Sequence, residues 1–318
     1  MRFPPLSVDA IVVSYNTRDL LLDCLASLEA AQAAGELERV IVIDSSSPDG
    51  SAATARIAYP EFEVIDVSNR GYGAAANAGL RRSQADAMLV LNADTVVPPG
   101  AVLTLTAVLA HDPCIAVAGP RLRYPDGRLQ PSRRRFPQRW TPLFESTVLQ
   151  EWFPDNRWAQ EYYVADRPED VQQDVDWLYG AALMVRGAAY LEVGGFDERL
   201  WMYCEETEWC WRVRQAGWTV RYVPEAEITH VEGASSSSSS PSRQINFDYS
   251  RVVLQRRLYG PRVAELVRTG LQIGYVIQIA RDGSKWLVGH KRPLRARRMR
   301  MYTNILRNGL LSRPEPRP

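Results

Sequence analysis

What this 318-residue chain lacks narrows the field before any motif is considered. Its four cysteines, Cys24, Cys114, Cys204 and Cys210, form no CxxC pair and no zinc-ligand spacing. A disulfide framework and a structural zinc module are therefore set aside, and a reducing cytosol is the expected setting. No uninterrupted apolar run approaches the ~18 residues needed to span a bilayer. The longest late stretch, residues 271–280, is broken by Gln272, Gly274 and Gln278. Residues 1–6 lack the apolar core of a secretory signal. A cytoplasmic location is expected, with any membrane contact peripheral on the inner face.

Net charge is close to zero as well, with 38 Lys and Arg against 37 Asp and Glu. No global basic field draws nucleic acid, which is not expected as a partner. Locally the balance fails: Lys285, Lys291, Arg292, Arg295, Arg297, Arg298, Arg300 and Arg307 fall within one stretch that holds no acid. Such a cluster reads either as a solvated helix face or as a contact for an anionic membrane surface. The chain also lacks GxGxxG and GxxxxGK[ST], which removes the NAD-dependent oxidoreductase and the P-loop.

What is present is an alternation. Residues 8–13, 39–43, 62–67 and 88–91 are short β-branched or apolar runs. Between them residues 18–34, with Thr17 as N-cap, and the small-residue segment 74–82 carry helical spacing. A helix at 101–110 and a strand at 115–119 follow. Residues 120–174 are rich in proline and arginine and read as long loops with short helices. Regularity returns in a strand over 175–185, a helix starting within 201–208 and ending near Gly217, and a strand over 218–223. Strand–helix repetition of this kind argues a parallel, doubly wound sheet. Ligands of such sheets bind beyond the carboxyl ends of the strands. The six serines at 235–240 read as a flexible loop, and the chain from Phe247 onward as helical and basic.

Four groups stand where chemistry is expected. Asp94 follows the apolar run 89–91 and reads as a ligand for Mg²⁺ or Mn²⁺ or as a cap for the helix after Pro98. Glu205, Glu206 and Glu208 crowd three carboxylates into four residues, giving a general base of raised pKa or charges that complement a helix dipole. His230, one of three histidines, reads as a metal ligand or a structural histidine. Asn69, Gly71, Tyr72, Gly73, Asn77 and Gly79 allow close backbone approach at a helix N-terminus, which suits a diphosphate.

Together these stretches resemble family 2 glycosyltransferases. The likeness runs in consistent order through residues 12–16, 42–51 and 69–79, then Leu91-Asn92-Ala93-Asp94-Thr95, then residues 193–198 and 203–212. It is nearest in look to bacterial rhamnosyltransferases of cell-wall and surface-polysaccharide assembly. The resemblance implies a GT-A fold, with a Rossmann-like, mostly parallel central sheet flanked by helices. The glycosyltransferase domain would span residues 1–235, with a nucleotide half (1–119) and an acceptor half (120–235), and a helical basic extension would follow at 236–318.

The resemblance also implies inverting transfer of a sugar, rhamnose favoured, from a nucleotide diphosphate sugar such as dTDP-rhamnose. The acceptor would be a glycan or a polyprenyl-diphosphate-linked glycan. Tyr15, Asn16, Asp44 and Asp49 would border the base. Asn69, Gly71, Tyr72, Gly73, Asn77, Asn92 and Ala93 would lie along the donor. Asp94, with His230, would hold a divalent metal. Glu206 stands where the family usually carries its catalytic aspartate, with Glu205 beside it, and Trp177, Tyr179 and Gly180 where acceptor contacts fall. Two departures are visible: Asn92 opens the metal motif in place of Asp, and Glu205-Glu206 replaces Glu-Asp. A nucleotidyltransferase and a catalytically silent nucleotide-sugar or lipid scaffold are the alternatives.

Overall fold

The structure is a computed structural model that describes residues 6–231 and 241–311; the serine run lies outside these. In chain order the elements begin with β1 (Val8–Ser14), α1 (Arg18–Ala33), β2 (Arg39–Asp44), α2 (Ser51–Ala58), β3 (Glu63–Asp66), α3 (Tyr72–Leu80) and β4 (Ala87–Asn92). They continue with β5 (Thr95–Val96), α4 (Ala101–His111), β6 (Ile115–Arg123), β7 (Leu129–Gln130), β8 (Arg133–Arg134), α5 (Thr141–Phe144), α6 (Val148–Trp152) and α7 (Arg157–Tyr162). Next come β9 (Gln173–Val175), β10 (Trp177–Leu178), β11 (Ala182–Arg186), α8 (Gly187–Val193), α9 (Glu205–Gln215) and β12 (Thr219–His230). The chain closes with α10 (Pro241–Tyr259), α11 (Pro261–Leu287) and α12 (Arg292–Asn308).

Backbone contacts gather these into two compact units. The first comprises Met1–Phe136, Arg167–Arg199 and Glu205–Ser235 and contains the sheet. Its central path runs β3-β2-β1-β4-β11-β6-β12-β5. The first four of these strands are parallel, as expected from the alternation. Beyond β4 the sheet is mixed, because β11 runs antiparallel to both β4 and β6. The reason is local: β11 begins opposite Leu91, at the end where β4 finishes, and has to run back along it. Strands β1, β2 and β4 are buried almost throughout and, apart from their polar end residues and Asp9, which pairs with Arg39 at 2.6 Å, carry apolar side chains on both faces. Leu21, Cys24, Leu25 and Leu28 of α1 and Val102, Leu105 and Leu109 of α4 complete that core.

Several boundaries differ from the sequence expectation. The strand expected over 175–185 is three pieces, and β10 leaves the main sheet to pair with β8. The helix expected from Trp201 starts at Glu205, because Tyr203 and Cys204 carry φ of 71° and 65°, outside the helical region. Thr17 offers α1 no side-chain cap; Asp49 Oδ2 instead accepts from the Arg18 N–H at 2.9 Å. The strand expected to stop at Val223 extends to His230 after a register shift between Val223 and Glu227.

The second unit comprises Pro137–Asp166, Leu200–Cys204 and Ser236–Pro318. Residues 137–166 pack with the C-terminal helices because their apolar side chains find partners there. Leu143 joins the core of Ile245, Val267, Leu271, Tyr275, Tyr302 and Ile305, and Phe144 stacks on Trp158 at 4.2 Å. The core is crossed by a charged cluster in which Arg251 pairs with Glu145 at 3.2 Å and Asp248 at 3.5 Å. Among the described residues no helix is long and apolar enough to cross a membrane.

Candidate active site

Asp94 sits just past β4, where the chain turns into the short β5. It is not a helix cap: α4 is preceded by Gly100, whose N–H donates to Glu36 Oε1 at 2.9 Å. The Asp94 backbone carbonyl accepts from the Val231 N–H at 2.9 Å, and β12 pairs with β5 through His230 and Thr95. This ladder brings His230 from 136 positions away in the chain to 3.2 Å between its Nε2 and Asp94 Oδ1. Both side chains are almost fully buried.

Three neighbours set the state of that imidazole. Gln130 Oε1 lies 2.9 Å from Nδ1 and can only accept, so Nδ1 carries the proton. At the other ring nitrogen, Asn92 Nδ2 lies 3.4 Å from Nε2. Asp94 Oδ1 and His230 Nε2 thus converge at 3.2 Å, and both atoms are of the kinds that ligate a divalent ion. No set of three or more His, Cys, Asp or Glu converges among the described residues. Mg²⁺ and Mn²⁺ need no such set when substrate phosphates and water complete their shell. The donor pair fits a divalent ion of that kind, and Asn92 lies beside it.

The acidic cluster resolves into two roles. Glu208 pairs with Arg212 one turn on, at 2.9 Å. Arg212 also donates to the carbonyls of Val193 and Gly195 at 2.7 and 2.6 Å, which fixes the turn before Phe196. Glu205 and Glu206 have no such partner. Each is buried at the start of α9, and the Oε2 atom of each lacks any hydrogen bond. Desolvation, then the charge of Glu206, holds the Glu205 carboxyl well above the usual range. Desolvation likewise raises Glu206, to about 7, opposed by the N–H groups of Glu206, Thr207 and Gly180 and by the Arg134 charge. Burial thus favours the protonated form of both carboxyls, and Glu206, raised to about 7, suits a group that gives and takes a proton.

Tyr72 links the two halves. Its hydroxyl donates to the Gly180 carbonyl at 3.1 Å. Its pKa is raised well above the usual value, first by desolvation and then by the charges of Glu205, Glu206 and Asp94. Tyr179, next to Gly180, places its ring 5.9 Å from that of His230. A Cβ on Gly180 would lie 3.5–3.6 Å from the Glu206 side chain, so the backbone there passes close over the carboxyl. Asp94, His230, Tyr179, Gly180 and the two glutamates gather around Tyr72, beyond the end of β4.

Other residues singled out in the sequence are placed differently. Asn77 is buried and clamps the turn after α8: its Nδ2 donates to the Phe196 carbonyl at 2.9 Å, and its Oδ1 accepts from the Phe196 N–H at 2.8 Å. A Cβ at Gly195 would fall 2.2 Å from that Oδ1, so the position admits only glycine. Asp44 is fully buried, and its oxygens accept from the Ser47 N–H and hydroxyl, both at 2.7 Å. Burial would raise Asp49, but donors at Ser51 and Arg18 outweigh it and hold the carboxyl below the usual range. These carboxylates shape the loop after β2. Asn16, exposed at φ 57°, is tied to it by its N–H to Ser47 Oγ at 2.9 Å, and Tyr15 beside it is half-buried. Asn69 Oδ1 accepts from the Gly71 N–H at 3.2 Å, and Gly71, at φ 96°, opens α3 into Tyr72 and Gly73. Ala93 is buried and donates its N–H to the Val13 carbonyl at 3.1 Å. Trp177 is buried too, its indole donating to the Arg135 carbonyl at 3.0 Å.

The sequence does not single out Gln130, and it marks Arg134 only as part of an arginine-rich loop. Both lie in the aperiodic stretch after β6, on two-residue strands that no local pattern marks.

Known proteins resemble the chain in sequence and in fold. A family model described as Glycosyl transferase family 2 matches residues 9–161, and one described as Glycosyl transferase family group 2 matches residues 87–311. An N-acetylglucosaminyl-diphospho-decaprenol L-rhamnosyltransferase of Mycobacterium tuberculosis is 34% identical over 247 residues, covering 73% of this chain and 78% of its own length. Among solved structures, GalNAc-T7 with UDP, GalNAc and Mn²⁺ superposes with a TM-score of 0.58 at 13% identity, over 95% of this chain and 56% of that one. The mannosyltransferase PcManGT of Pyrobaculum calidifontis, in complex with GDP-Man and Mn²⁺, gives 0.52 at 16% identity, over 96% and 87%. With the parallel half-sheet, the acidic turn after β4 and the paired glutamates of α9 in one unit, the chain belongs to glycosyl transferase family 2 and has the GT-A fold.

Proposed function

We propose that this glycosyltransferase moves a sugar with inversion, in one displacement, and that Glu206 is its base. The acceptor hydroxyl oxygen attacks the anomeric carbon from the face opposite the nucleotide. The bond from that carbon to the diphosphate oxygen breaks, and the hydroxyl proton passes to Glu206 Oε2. The observation that carries this reading is the pair of buried, unpartnered Oε2 atoms in the group that also holds Asp94 and His230. A buried carboxyl oxygen left without a donor costs stability, and a pKa near neutrality suits a general base.

On the donor side Asp94 and His230 would hold a divalent Mg²⁺ or Mn²⁺, which when bound supplies positive charge for the leaving diphosphate. The loop carrying Asp44 and Asp49, with Tyr15 and Asn16, would border the nucleotide base. The turn Asn69 to Gly73 and the backbone at Asn92 and Ala93 would lie along the diphosphate and sugar. Tyr179 and Gly180 would face the acceptor, backed by Trp177. Residues 1–119 would thus serve the donor and 120–235 the acceptor, with residues 236–318 as a basic extension.

The favoured donor is dTDP-rhamnose and the favoured acceptor an N-acetylglucosaminyl diphosphate on a polyprenyl lipid. The support is the mycobacterial relative, whose name specifies an L-rhamnosyl transfer to such a lipid. With that acceptor the enzyme would work at the cytoplasmic membrane face, in polysaccharide assembly for the cell wall.

The test is transfer of labelled sugar to that lipid from dTDP-rhamnose, with UDP- and GDP-sugars as competitors. Rhamnose should appear in the lipid product, and dTDP-rhamnose should raise the melting temperature most. A true donor at about 100 times its Kd adds about 2.7 kcal/mol to stability. Transfer from a UDP- or GDP-sugar alone would replace the donor. No transfer and no melting shift with any donor would overturn the reading.

A further inference from the structure

Helix α11 leaves a line of apolar residues uncovered. Leu266, Ile273 and Leu287 lie at multiples of seven residues, with Val276 beside them, and each is between 55% and 70% exposed. That spacing places them on one face over about 32 Å of helix. The line ends in the turn between α11 and α12, where Trp286, Leu287 and Val288 follow one another at 39%, 70% and 81% exposure. Leu294, at the start of α12, is 45% exposed. Single exposed apolar residues are ordinary, but a continuous line rimmed by charge marks a contact surface.

The turn is well held. Gly289, at φ 85°, donates its N–H to the Trp286 carbonyl at 3.0 Å, and the His290 N–H reaches the Lys285 carbonyl at 3.0 Å. Arg292 Nε donates to the Trp286 carbonyl at 3.0 Å, and its guanidinium lies 5.2 Å from the indole centroid. Trp286 is thus presented in a fixed orientation.

Charge identifies the occupant. From Gly283 to Leu311 there are eight basic residues and no acid. Asp282, the last acid before the turn, is fully buried, with Arg295 at 2.7 Å and Arg298 at 3.2 Å. Lys285, Lys291, Arg292 and Arg300 are exposed. A second copy of this chain would bring the same positive charge against itself. An anionic bilayer offers apolar depth and negative phosphate together.

We propose that the exposed face of α11 and its C-terminal turn dock on an anionic lipid bilayer. Trp286, Leu287 and Val288 enter the boundary between headgroups and acyl chains, and Lys285, Lys291 and Arg292 meet the lipid phosphates. No described helix can cross a membrane, so the contact lies along the surface. This inference deepens the reading of a lipid-linked acceptor, and the following test separates the two.

The full chain is floated with phosphatidylcholine vesicles carrying either no anionic lipid or about 30% phosphatidylglycerol, at low and high salt. It should float with the anionic vesicles alone and lose that binding as salt rises. The variants Leu287→Ser/Val288→Ser and Lys285→Glu/Lys291→Glu should each lower the bound fraction about tenfold or more. Both should keep the wild-type thermal melt and the wild-type transfer to a water-soluble acceptor analogue. Wild-type flotation by both variants, or no flotation by the wild type, overturns the proposal. So does a wild-type dimer that the Leu287→Ser/Val288→Ser variant dissociates without any vesicle binding. Flotation with no sugar transfer from any donor supports the surface and sinks the proposed reaction instead.

Discussion

Asp94 and Glu206 are both buried acids in the group around Tyr72, and they are prepared in opposite ways. Asp94 is surrounded by groups that are themselves fixed: His230 by Gln130, Asn92 by the strand, and the Asp94 carbonyl by Val231. Glu206 has an unpartnered oxygen, a second carboxyl alongside it and a pKa pushed up to about 7. An acid held rigid beside an imidazole nitrogen suits a cation. An acid left desolvated, with one oxygen unpartnered, suits a proton in transit. The difference teaches that burial alone does not assign a role; the partners do.

The contrast breaks most directly at Glu206. Glu206→Gln keeps the shape and removes the basic oxygen, so kcat should fall about 10²–10⁴-fold, the usual cost of losing a general base. Steady-state transfer checks this, and turnover within a few-fold of wild type would remove Glu206 from the role. On the other side, Asp94→Asn should cost about 10²-fold in activity, the order expected for losing one electrostatic stabiliser of a transition state. It should also weaken Mn²⁺ binding measured by calorimetry, whereas Glu206→Gln should leave that binding unchanged. Equal loss of Mn²⁺ affinity in both variants would dissolve the division between the two acids.

Gln130 is a finer probe of the same contrast. Gln130→Leu deprives Nδ1 of its acceptor and frees the imidazole to hold its proton on Nε2, facing Asp94. Partners that orient metal-binding histidines usually contribute 10–100-fold in affinity, so Mn²⁺ binding should weaken by about that factor. Gln130→Glu, which restores an acceptor, should recover most of the loss. Unchanged affinity in Gln130→Leu would show that the tautomer is set elsewhere.

Much of this was legible in the sequence, for reasons of chain distance. The parallel half-sheet is visible because β1, β2 and β4 are each apolar in a row and end in polar turns. Asp94 and Glu206 are visible because each sits in a local acidic motif. What sequence could not supply is pairing across long separations. The reversal at β11 depends on which end of the sheet the chain re-enters. Gln130 reaches His230 across 100 positions. Nor did sequence tell a loop-shaping polar residue from a ligand-facing one: Asn77 and Asp44 are conspicuous in it, yet their polar atoms bond Phe196 and Ser47.

The smallest expected effect concerns stability and follows from the same buried carboxyl. Glu206 titrates near 7 in the folded chain and near 4.5 when unperturbed. Between those values the native state binds more protons than the unfolded one, so stability from this group is full below about pH 4.5 and is lost as pH rises through about 7. Glu205, raised by the same burial and by Glu206 itself, adds to the trend. Glu206→Gln removes the charge that has to be buried at high pH. The variant should therefore melt higher than wild type at pH 8, by an amount of roughly 1–3 kcal/mol, and by much less at pH 5. The wild-type kcat/KM should rise through about pH 7 as Glu206 loses its proton. A wild-type activity profile flat across that range, with no pH-dependent melting difference between the two proteins, would mean that Glu206 is paired in solution as firmly as Asp94 is held.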